Sequence, residues 1–307
     1  MRAMAGLAEQ VLTQVRTLPG GRLARRTARV RNGPLVVGVL LVGALVVLGL
    51  AGPLVVGTAG LQLGGAEFRV PPSAAHPLGT DTTGRDVLTF LLHAIIPSLV
   101  IGLIAGGAGT LTGTALGLLT GYLRGPVDTV VRTAADIAMT IPSLAVLVVI
   151  SAFVRTTSIE LMALIVALFS WPYPTRAIRA QTLALREQVF VQLAKLSGRS
   201  EVAIAFLELL PNLLPYIMAG FVGAVNGGIL ASVGLQLLGL GPRHVPTLGL
   251  MLEEAFNAGA LIRGLWWWWA PPTVVLAVLF LGLFLISMGL DEIANPRLRR
   301  QRIGGAP

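Results

Sequence analysis

The sequence predicts an all-α polytopic membrane protein with six transmembrane helices. Composition is the first reason: 54% of the 307 residues are hydrophobic and only 12% are charged, about half the charged share of a typical soluble domain. The second reason is that apolar stretches of about 20 residues, the length that crosses a hydrocarbon core, occur repeatedly along the chain. The third is that most basic residues fall in alternate connecting segments, as the positive-inside rule describes.

The first predicted helix, 34–57, follows a basic arm at residues 1–33. The arm resembles the start of a signal peptide, but the apolar stretch is too long for one and has no clear cleavage site. We therefore expect a retained membrane span. The arm could also bind anionic lipid, although a purely topogenic role is the simpler interpretation.

Five further helices are predicted at residues 96–121, 131–153, 161–180, 212–237 and 268–290. With the N-terminus in the cytoplasm, the cytoplasmic segments are 1–33, 122–130, 181–211 and 291–307. These segments and the adjoining helix ends contain all but five of the 23 basic residues. We therefore expect a multi-pass protein of the inner or plasma membrane, with both termini cytoplasmic and a membrane core at 96–290.

The first external loop, 58–95, contains a charged group that another protein could contact. It consists of Asp81, Arg85 and Asp86. Because Asp81 and Arg85 are four residues apart, we expect them to brace the loop where a helix begins. Reception of an external protein is the alternative.

The cytoplasmic segment 181–211 combines helix-forming sequence with a break at Gly198, a residue that suits a tight bend. After the break, Ser200 is a good N-cap and Glu201 is favourable in a first turn. Apolar residues follow at helical spacing, and Pro211 is expected to mark the entry into the fifth span. Such an apolar face must be buried in the membrane surface, in the protein's own bundle or in a partner groove.

Three residues inside the fifth predicted helix are candidates for lining a polar path through the membrane. They are the polar residues Asn226 and Ser232, together with Gly227 beside Asn226. A buried amide must be paired or face water. The alternative is therefore an interhelical hydrogen bond beside small residues that allow close packing.

Other conspicuous side chains have structural explanations. Trp266 to Trp269 fit an interfacial aromatic belt better than a substrate platform. Asp136 is expected to pair with Arg132, four residues earlier, and the nearby basic residues Arg176 and Arg179 either reach the cytoplasmic surface or contact a partner. No metal site or ATP site is expected, because the histidines lack ligand spacing, cysteine is absent and no Gly-Lys pair occurs.

Residues 192–211 resemble the cytoplasmic EAA loop of permeases from binding-protein-dependent ABC importers. Gln192-Leu193-Ala194 stands at the E-A-A triplet, Gly198 at the motif's glycine, and Glu208-Leu209-Leu210-Pro211 at its final group. Gln192 and Leu193 depart from the motif, so the negative charge of its first position is missing. In that family the loop forms a coupling helix that docks on a separate ATPase subunit. The resemblance implies ATPase contact for Gln192, Ala194, Lys195, Gly198, Ser200, Glu201, Phe206 and Pro211.

Further matches in the same order resemble the dipeptide, oligopeptide and nickel branch of these permeases, in its second-subunit type. They are His76-Pro77-Leu78-Gly79-Thr80-Asp81 with Gly84-Arg85-Asp86-Val87-Leu88, then Leu238-Gly239-Leu240-Gly241, then Asn295-Pro296-Arg297-Leu298-Arg299. Together with the EAA-like loop, these matches extend over residues 76–299.

The resemblance implies the fold of a type I ABC importer membrane domain and a role as one half of a permease heterodimer. A homologous sister permease, two ATPase subunits and an extracytoplasmic binding protein are the implied partners. ATP and Mg would be bound by the ATPase subunits, and this chain would carry no cofactor and no enzymatic site of its own. The implied cargo is di- or oligopeptides. Nickel chelates or oligosaccharides are the alternative cargo, and an ATPase-free channel or scaffold is the alternative class.

Overall fold

The computed structural model describes residues 33–154 and 158–294. All regular structure in these residues is helical, apart from one isolated bridge between Thr80 and Asp86. The predicted all-α class is therefore confirmed. The expectations for the basic N-terminal arm and for the Asn295–Arg299 motif lie outside the described residues.

Ten helices follow one another along the described chain. They are α1 (Gly33–Val56), α2 (Val87–Leu123), α3 (Pro126–Thr140), α4 (Ser143–Val154), α5 (Ile159–Ala167), α6 (Pro172–Arg186), α7 (Val189–Leu196), α8 (Glu201–Leu237), α9 (Leu248–Asn257) and α10 (Trp266–Ala294). A short 3₁₀ turn, Ala59–Leu61, lies in the loop between α1 and α2.

Four of these helices, α1, α2, α8 and α10, are each long and apolar enough to cross a membrane. The third and fourth predicted spans are not straight helices. Helices α3 and α4 meet at 84°, and α5 and α6 meet at 48°. Prolines explain both breaks, because Pro142 and Pro172 cannot donate a helical hydrogen bond and disfavour helical geometry in the preceding residue. The described chain has six spans when each bent pair is counted as one.

Helix α2 begins earlier than the sequence indicated, at Val87 instead of residue 96. Its N-cap is Asp86, whose carboxylate accepts a hydrogen bond from the Thr89 N–H at 2.7 Å. The helix has 37 residues and is therefore about 55 Å long. It packs against α1, α5, α6 and α8 and so forms the centre of the described bundle.

Glycines spaced four residues apart allow α2 to approach its neighbours closely. They are Gly109, Gly113, Gly117 and Gly121. A Cβ atom on any of them would lie 2.4–2.7 Å from atoms of α6 or of Ser170 just before it. Small residues at this spacing let membrane helices pack backbone to backbone. The same arrangement continues towards α8 at Gly102 and Gly106.

Helix α8 starts ten residues before the predicted entry at Pro211. A π-helical turn at Ile204–Leu209 lies immediately before this proline within one continuous helix, Glu201–Leu237. Proline lacks an N–H and its ring clashes with the carbonyl four residues earlier. A wider π turn is one way in which a helix accommodates such a disruption, so the chain does not need to break at Pro211.

Candidate functional site

Helix α7 presents an apolar stripe at the surface of the described chain. Its inner side is fixed by Val191 and Ala194, which are buried in a cluster that includes Leu118 of α2 and Ile204 of α8. Its outer side carries Val189, Leu193 and Leu196, which are 72%, 57% and 85% exposed. We call these three residues the α7 stripe. Their spacing of four and then three residues places them on one face of the helix.

A tight turn at Gly198 separates α7 from α8, as the sequence indicated. Gly198 has φ of +74°, a conformation that costs other residues energy, and its N–H donates to the Lys195 carbonyl at 3.0 Å. Ser200 caps α8 by accepting a hydrogen bond from the Ala203 N–H at 3.2 Å. Arg199 and Glu208 form an ion pair across the turn at 2.5 Å. The turn is thus held from both sides.

Most of the residues expected to contact an ATPase are exposed on α7 and this turn. The exposed ones are Gln192, Lys195, Gly198, Ser200 and Glu201. Ala194 is an exception, because it is buried against the chain's own core.

Phe206 and Pro211 are also exposed, but they lie in α8 beyond the turn. Phe206 lines an apolar groove of about 500 Å³ between α2 and α8, and no residue of the α7 stripe lines this groove. The apolar face predicted for residues 202–210 is divided: Ala205 and Leu209 are buried in the core, whereas Val202 and Phe206 are exposed.

The α7 stripe was not predicted, although the spacing of its residues in the sequence is that of one helix face. Val189, Leu193 and Leu196 have helical spacing, as do the buried residues Val191 and Ala194 on the other side. Because both faces of this short helix are apolar, the spacing alone does not tell which one is exposed.

A polar cavity of about 530 Å³ lies between α3 and α6. It is lined by Arg132, Thr133, Ala135, Asp136, Ile137, Thr140, Thr175, Arg176 and Arg179. The expected pairing of Asp136 with Arg132 is wrong: the partner of Asp136 is Arg176 of α6, at 3.5 Å. Tertiary packing places α6 against the carboxylate, whereas Arg132 forms no ion pair among those found in the described residues.

Arg179 does not extend to the cytoplasmic surface, because its side chain is directed towards α3. It forms two parallel hydrogen bonds to Asp128 of α3, from Nε at 2.5 Å and from Nη2 at 2.8 Å. This bidentate geometry is the strong form of the arginine–carboxylate interaction. We call Asp128 and Arg179 the α3–α6 clamp.

The three intramembrane candidates in α8 have different surroundings. Gly227 is exposed. Asn226 is half-buried, and its Oδ1 atom is buried without a hydrogen-bond partner in the described residues. Ser232 is 1% exposed, and its hydroxyl donates to the Ile229 carbonyl at 2.8 Å. Ser232 therefore faces the chain's own core and does not line an open surface.

The charged group of the first loop is a buried brace. Asp81 accepts hydrogen bonds from the backbone N–H of Arg85 at 3.0 Å and from its Nε at 2.7 Å, as the i,i+4 spacing indicated. Arg85 also donates to Glu254 of α9 and stacks on Phe90 at 4.6 Å. Asp86 is occupied with capping α2 and with His76 Nδ1 at 2.8 Å. Because all three are at most 9% exposed, a partner protein does not reach them in this conformation.

Electrostatics agree with a structural role for this brace. Burial raises the pKa of Glu254, although the hydrogen bond and charge of Arg85 lower it. Burial alone would lower the pKa of Arg85, but Glu254 and Asp81 outweigh it and raise that pKa overall. Arg85 therefore stays charged and joins α9 to the loop before α2.

The four tryptophans do not behave as a uniform belt. Trp266 is 55% exposed, as an interfacial residue would be, whereas Trp268 is 2% exposed and belongs to the core. Trp267 donates its indole N–H to the Thr80 carbonyl at 3.3 Å. The first turn of α10 therefore anchors the loop before α2 as well as the helix itself.

Comparison with known proteins gives a consistent result. The family described as "Binding-protein-dependent transport system inner membrane component" matches residues 113–300. The oligopeptide transport system permease protein OppC of Lactococcus lactis subsp. cremoris is 32% identical over 233 residues, which are 75% of this chain and 79% of that protein. The dipeptide transport system permease protein DppC of Alkalihalophilus pseudofirmus is 27% identical over 270 residues, 88% of each chain. The glutathione transport system permease protein GsiD of Pectobacterium atrosepticum is 29% identical over 185 residues, 60% of this chain and 61% of that protein.

Proposed function

This chain belongs to the family of inner-membrane components of binding-protein-dependent transport systems, and from that membership we propose that it is the permease subunit of an ATP-driven importer. It forms half of the translocation pathway for di- or oligopeptides. A sister permease supplies the other half, separate ATPase subunits bind ATP and Mg, and an external binding protein delivers the cargo.

The observation that carries this proposal is the exposed α7 stripe. Three large aliphatic side chains on one face of a short helix are unfavourable in water, and a rigid core holds them outward. An amphipathic helix docks by laying such a face into a hydrophobic groove of a partner. The ATPase subunit is the partner that the family supplies, and the positive-inside rule predicts that α7 lies on the cytoplasmic side, where ATP is available.

The polar cavity between α3 and α6 supports a role in the pathway. Asp136 and Arg176 lie four to five residues, or about 6–8 Å of helix, inside the predicted cytoplasmic ends of their spans, at residues 131 and 180. This depth falls within a hydrocarbon core of about 30 Å when each bent pair is one span. Charged side chains at that depth must face water or a partner, and both of these are at least half exposed. A water-filled path bounded by a second permease meets that requirement.

Motion of the ATPase subunits would then be transmitted along the chain from α7 to α6. Helix α7 joins α6 through only Glu187 and Gln188, so displacement of α7 by the ATPase reaches α6 directly. Opening and closing of the pathway requires that the α7 contacts differ between the two states of the ATPase, because ATP could not otherwise shift the equilibrium. Rigid-body rocking of the attached helices provides alternating access.

Peptides are the favoured cargo because three relatives are named as permeases for oligopeptides, dipeptides and glutathione, all of them amide-linked compounds. Nickel chelates and oligosaccharides remain the alternative, since the binding protein would make the primary selection. Family membership argues against the ATPase-free channel, because that family is defined by binding-protein-dependent transport.

Leu193→Glu tests the docking surface. The charge should reduce co-purification with the ATPase subunits and ATP-dependent peptide uptake by about tenfold or more, as expected when a charged group is placed in an apolar interface. Leu261→Glu is a matched control, because Leu261 is also 57% exposed but lies in the loop between α9 and α10.

An equal loss of ATPase co-purification and peptide uptake in Leu193→Glu and Leu261→Glu would show that a charge is not tolerated at either surface. Unchanged assembly and uptake in Leu193→Glu, with the protein inserted normally, would remove the basis for ATPase docking at α7.

A further inference from the structure

Helix α3 is anchored to the rest of the chain in an unusual way. Of its 15 residues, only Ala135 is buried, while apolar side chains such as Val130 and Ile137 are 68% and 56% exposed. Apolar packing therefore contributes little to its position. Its principal attachments to α6 are the α3–α6 clamp and the Asp136–Arg176 pair.

The two ion pairs differ in strength and accessibility. In the clamp, the Asp128 and Arg179 side chains are 14% and 20% exposed, and the guanidinium binds both carboxylate oxygens. The Asp136–Arg176 pair is longer, at 3.5 Å, and its side chains are 50% and 67% exposed. Exposed pairs are weak and readily exchanged for water, whereas separation of a part-buried pair leaves poorly solvated charges. The clamp is thus the fixed contact and the cavity pair the one that opens easily.

The clamp lies on the route from α7 to the polar cavity. Arg179 sits two turns before the end of α6, which continues through two residues into α7. At the same end, Arg186 donates to the Tyr122 carbonyl at 2.8 Å and so ties the end of α6 to the end of α2. Asp128 lies in the first turn of α3, the helix that lines the cavity opposite α6.

We propose that Asp128 and Arg179 are positioning residues that make α3 move together with α6 and α7, so that a displacement of α7 moves both walls of the polar cavity as one unit. This inference rests on the proposed function. The planar guanidinium fork fixes the orientation as well as the distance of α3, which a single hydrogen bond would not do. Without the clamp, α6 would move while α3, with almost no apolar anchorage, stayed behind.

The transport test uses the complete transporter in proteoliposomes and measures peptide molecules imported per ATP hydrolysed. Asp128→Asn and Arg179→Gln should lower this ratio by about tenfold or more, while the ATPase subunits still assemble and hydrolyse ATP. The exchanged pair Asp128→Arg with Arg179→Asp should recover part of the ratio. The control is Arg124→Gln, which removes an exposed ion pair with Glu187 at 3.4 Å at the same end and should leave the ratio unchanged.

A normal ratio in both single variants would overturn the proposal. So would a parallel loss of ATP hydrolysis and uptake without rescue by the exchanged pair, because that pattern indicates a purely structural role. Absence of ATP-dependent uptake in the unaltered transporter would instead contradict the proposed function.

A second measurement tests the clamp without transport. The chain has no cysteine, so spin labels can be attached uniquely at Val130→Cys in α3 and Ala184→Cys in α6, both exposed positions. The purified chain should give a narrow distance distribution that broadens when Asp128→Asn is added. An unchanged distribution would show that α3 is held by something else.

Discussion

The glycine stripe of α2 makes a quantitative prediction about how tightly α6 is packed. In Gly117→Ala, the new Cβ would lie 2.7 Å from the Thr175 carbonyl oxygen and 2.9 Å from the Arg179 nitrogen. These are backbone atoms, so the two helices must separate. Gly107→Ala is the matched control on the same helix, because its Cβ would meet only a ring atom of Phe221 at 3.9 Å.

The two variants share the gain in helix propensity from glycine to alanine, about 1 kcal/mol, so this contribution cancels in their difference. What remains is the cost of overpacking, about 1–3 kcal/mol. With roughly 2–4 °C per kcal/mol for chains somewhat shorter than this one, Gly117→Ala should have a Tm roughly 2–12 °C below that of Gly107→Ala.

The assay is thermal unfolding of the purified chain in mild detergent, followed by tryptophan fluorescence. Both variants must first elute as single species, so that aggregation does not determine the Tm. Equal Tm values, or a lower value for Gly107→Ala, would refute the inference that α2 and α6 touch backbone to backbone at this glycine.

Three further predictions concern the site and the brace. Gly198→Leu should abolish uptake while membrane insertion persists, because φ of +74° costs a branched residue about 1–2 kcal/mol and the turn after α7 will shift; normal uptake with good expression would contradict this. Phe206→Glu should leave ATPase co-purification unchanged, since Phe206 lines the groove on α2; reduced co-purification would place it in the docking surface after all. Arg85→Gln should destabilise the protein by about 3–5 kcal/mol, since Asp81 and Glu254 lose their partner in a largely buried site; a Tm equal to that of the unaltered chain would show that the brace is dispensable.

Local sequence features predicted the elements that depend on local chemistry. The cap at Ser200, the bend at Gly198 and the Asp81–Arg85 contact each involve residues within four positions of one another, and each is present as expected. Hydropathy likewise located the six candidate spans of the described residues, when each bent pair is counted as one. The broken third span could also have been predicted, because Pro142 follows Ile141 and the residue before a proline rarely stays helical.

Choices between a local and a distant partner could not be made from the sequence. Asp136 has Arg132 at i−4, but α6 brings Arg176 to it from 40 positions along the chain. The sequence alone does not distinguish the two apolar faces of α7. The packing of Val191 and Ala194 into the core decides which face is exposed. In α8, the π turn rotates the residues that follow it relative to those that precede it. Residues that a period of 3.6 would place on one face of the helix therefore lie on two different faces.

These packing features together define which parts of the molecule can move as a unit under the proposed mechanism. The glycine stripe fixes α6 on α2, and the clamp fixes α3 on α6, so the helices next to α7 form one rigid group. The helical ladder is interrupted at Pro142, between α3 and α4, and at Pro172, between α5 and α6. Helical hydrogen bonds are already missing at such breaks, so the backbone can rotate there with the smallest further loss of hydrogen bonds. A displacement of α7 should therefore pivot this group about the two proline breaks and shift the polar cavity as a whole relative to α4 and α5.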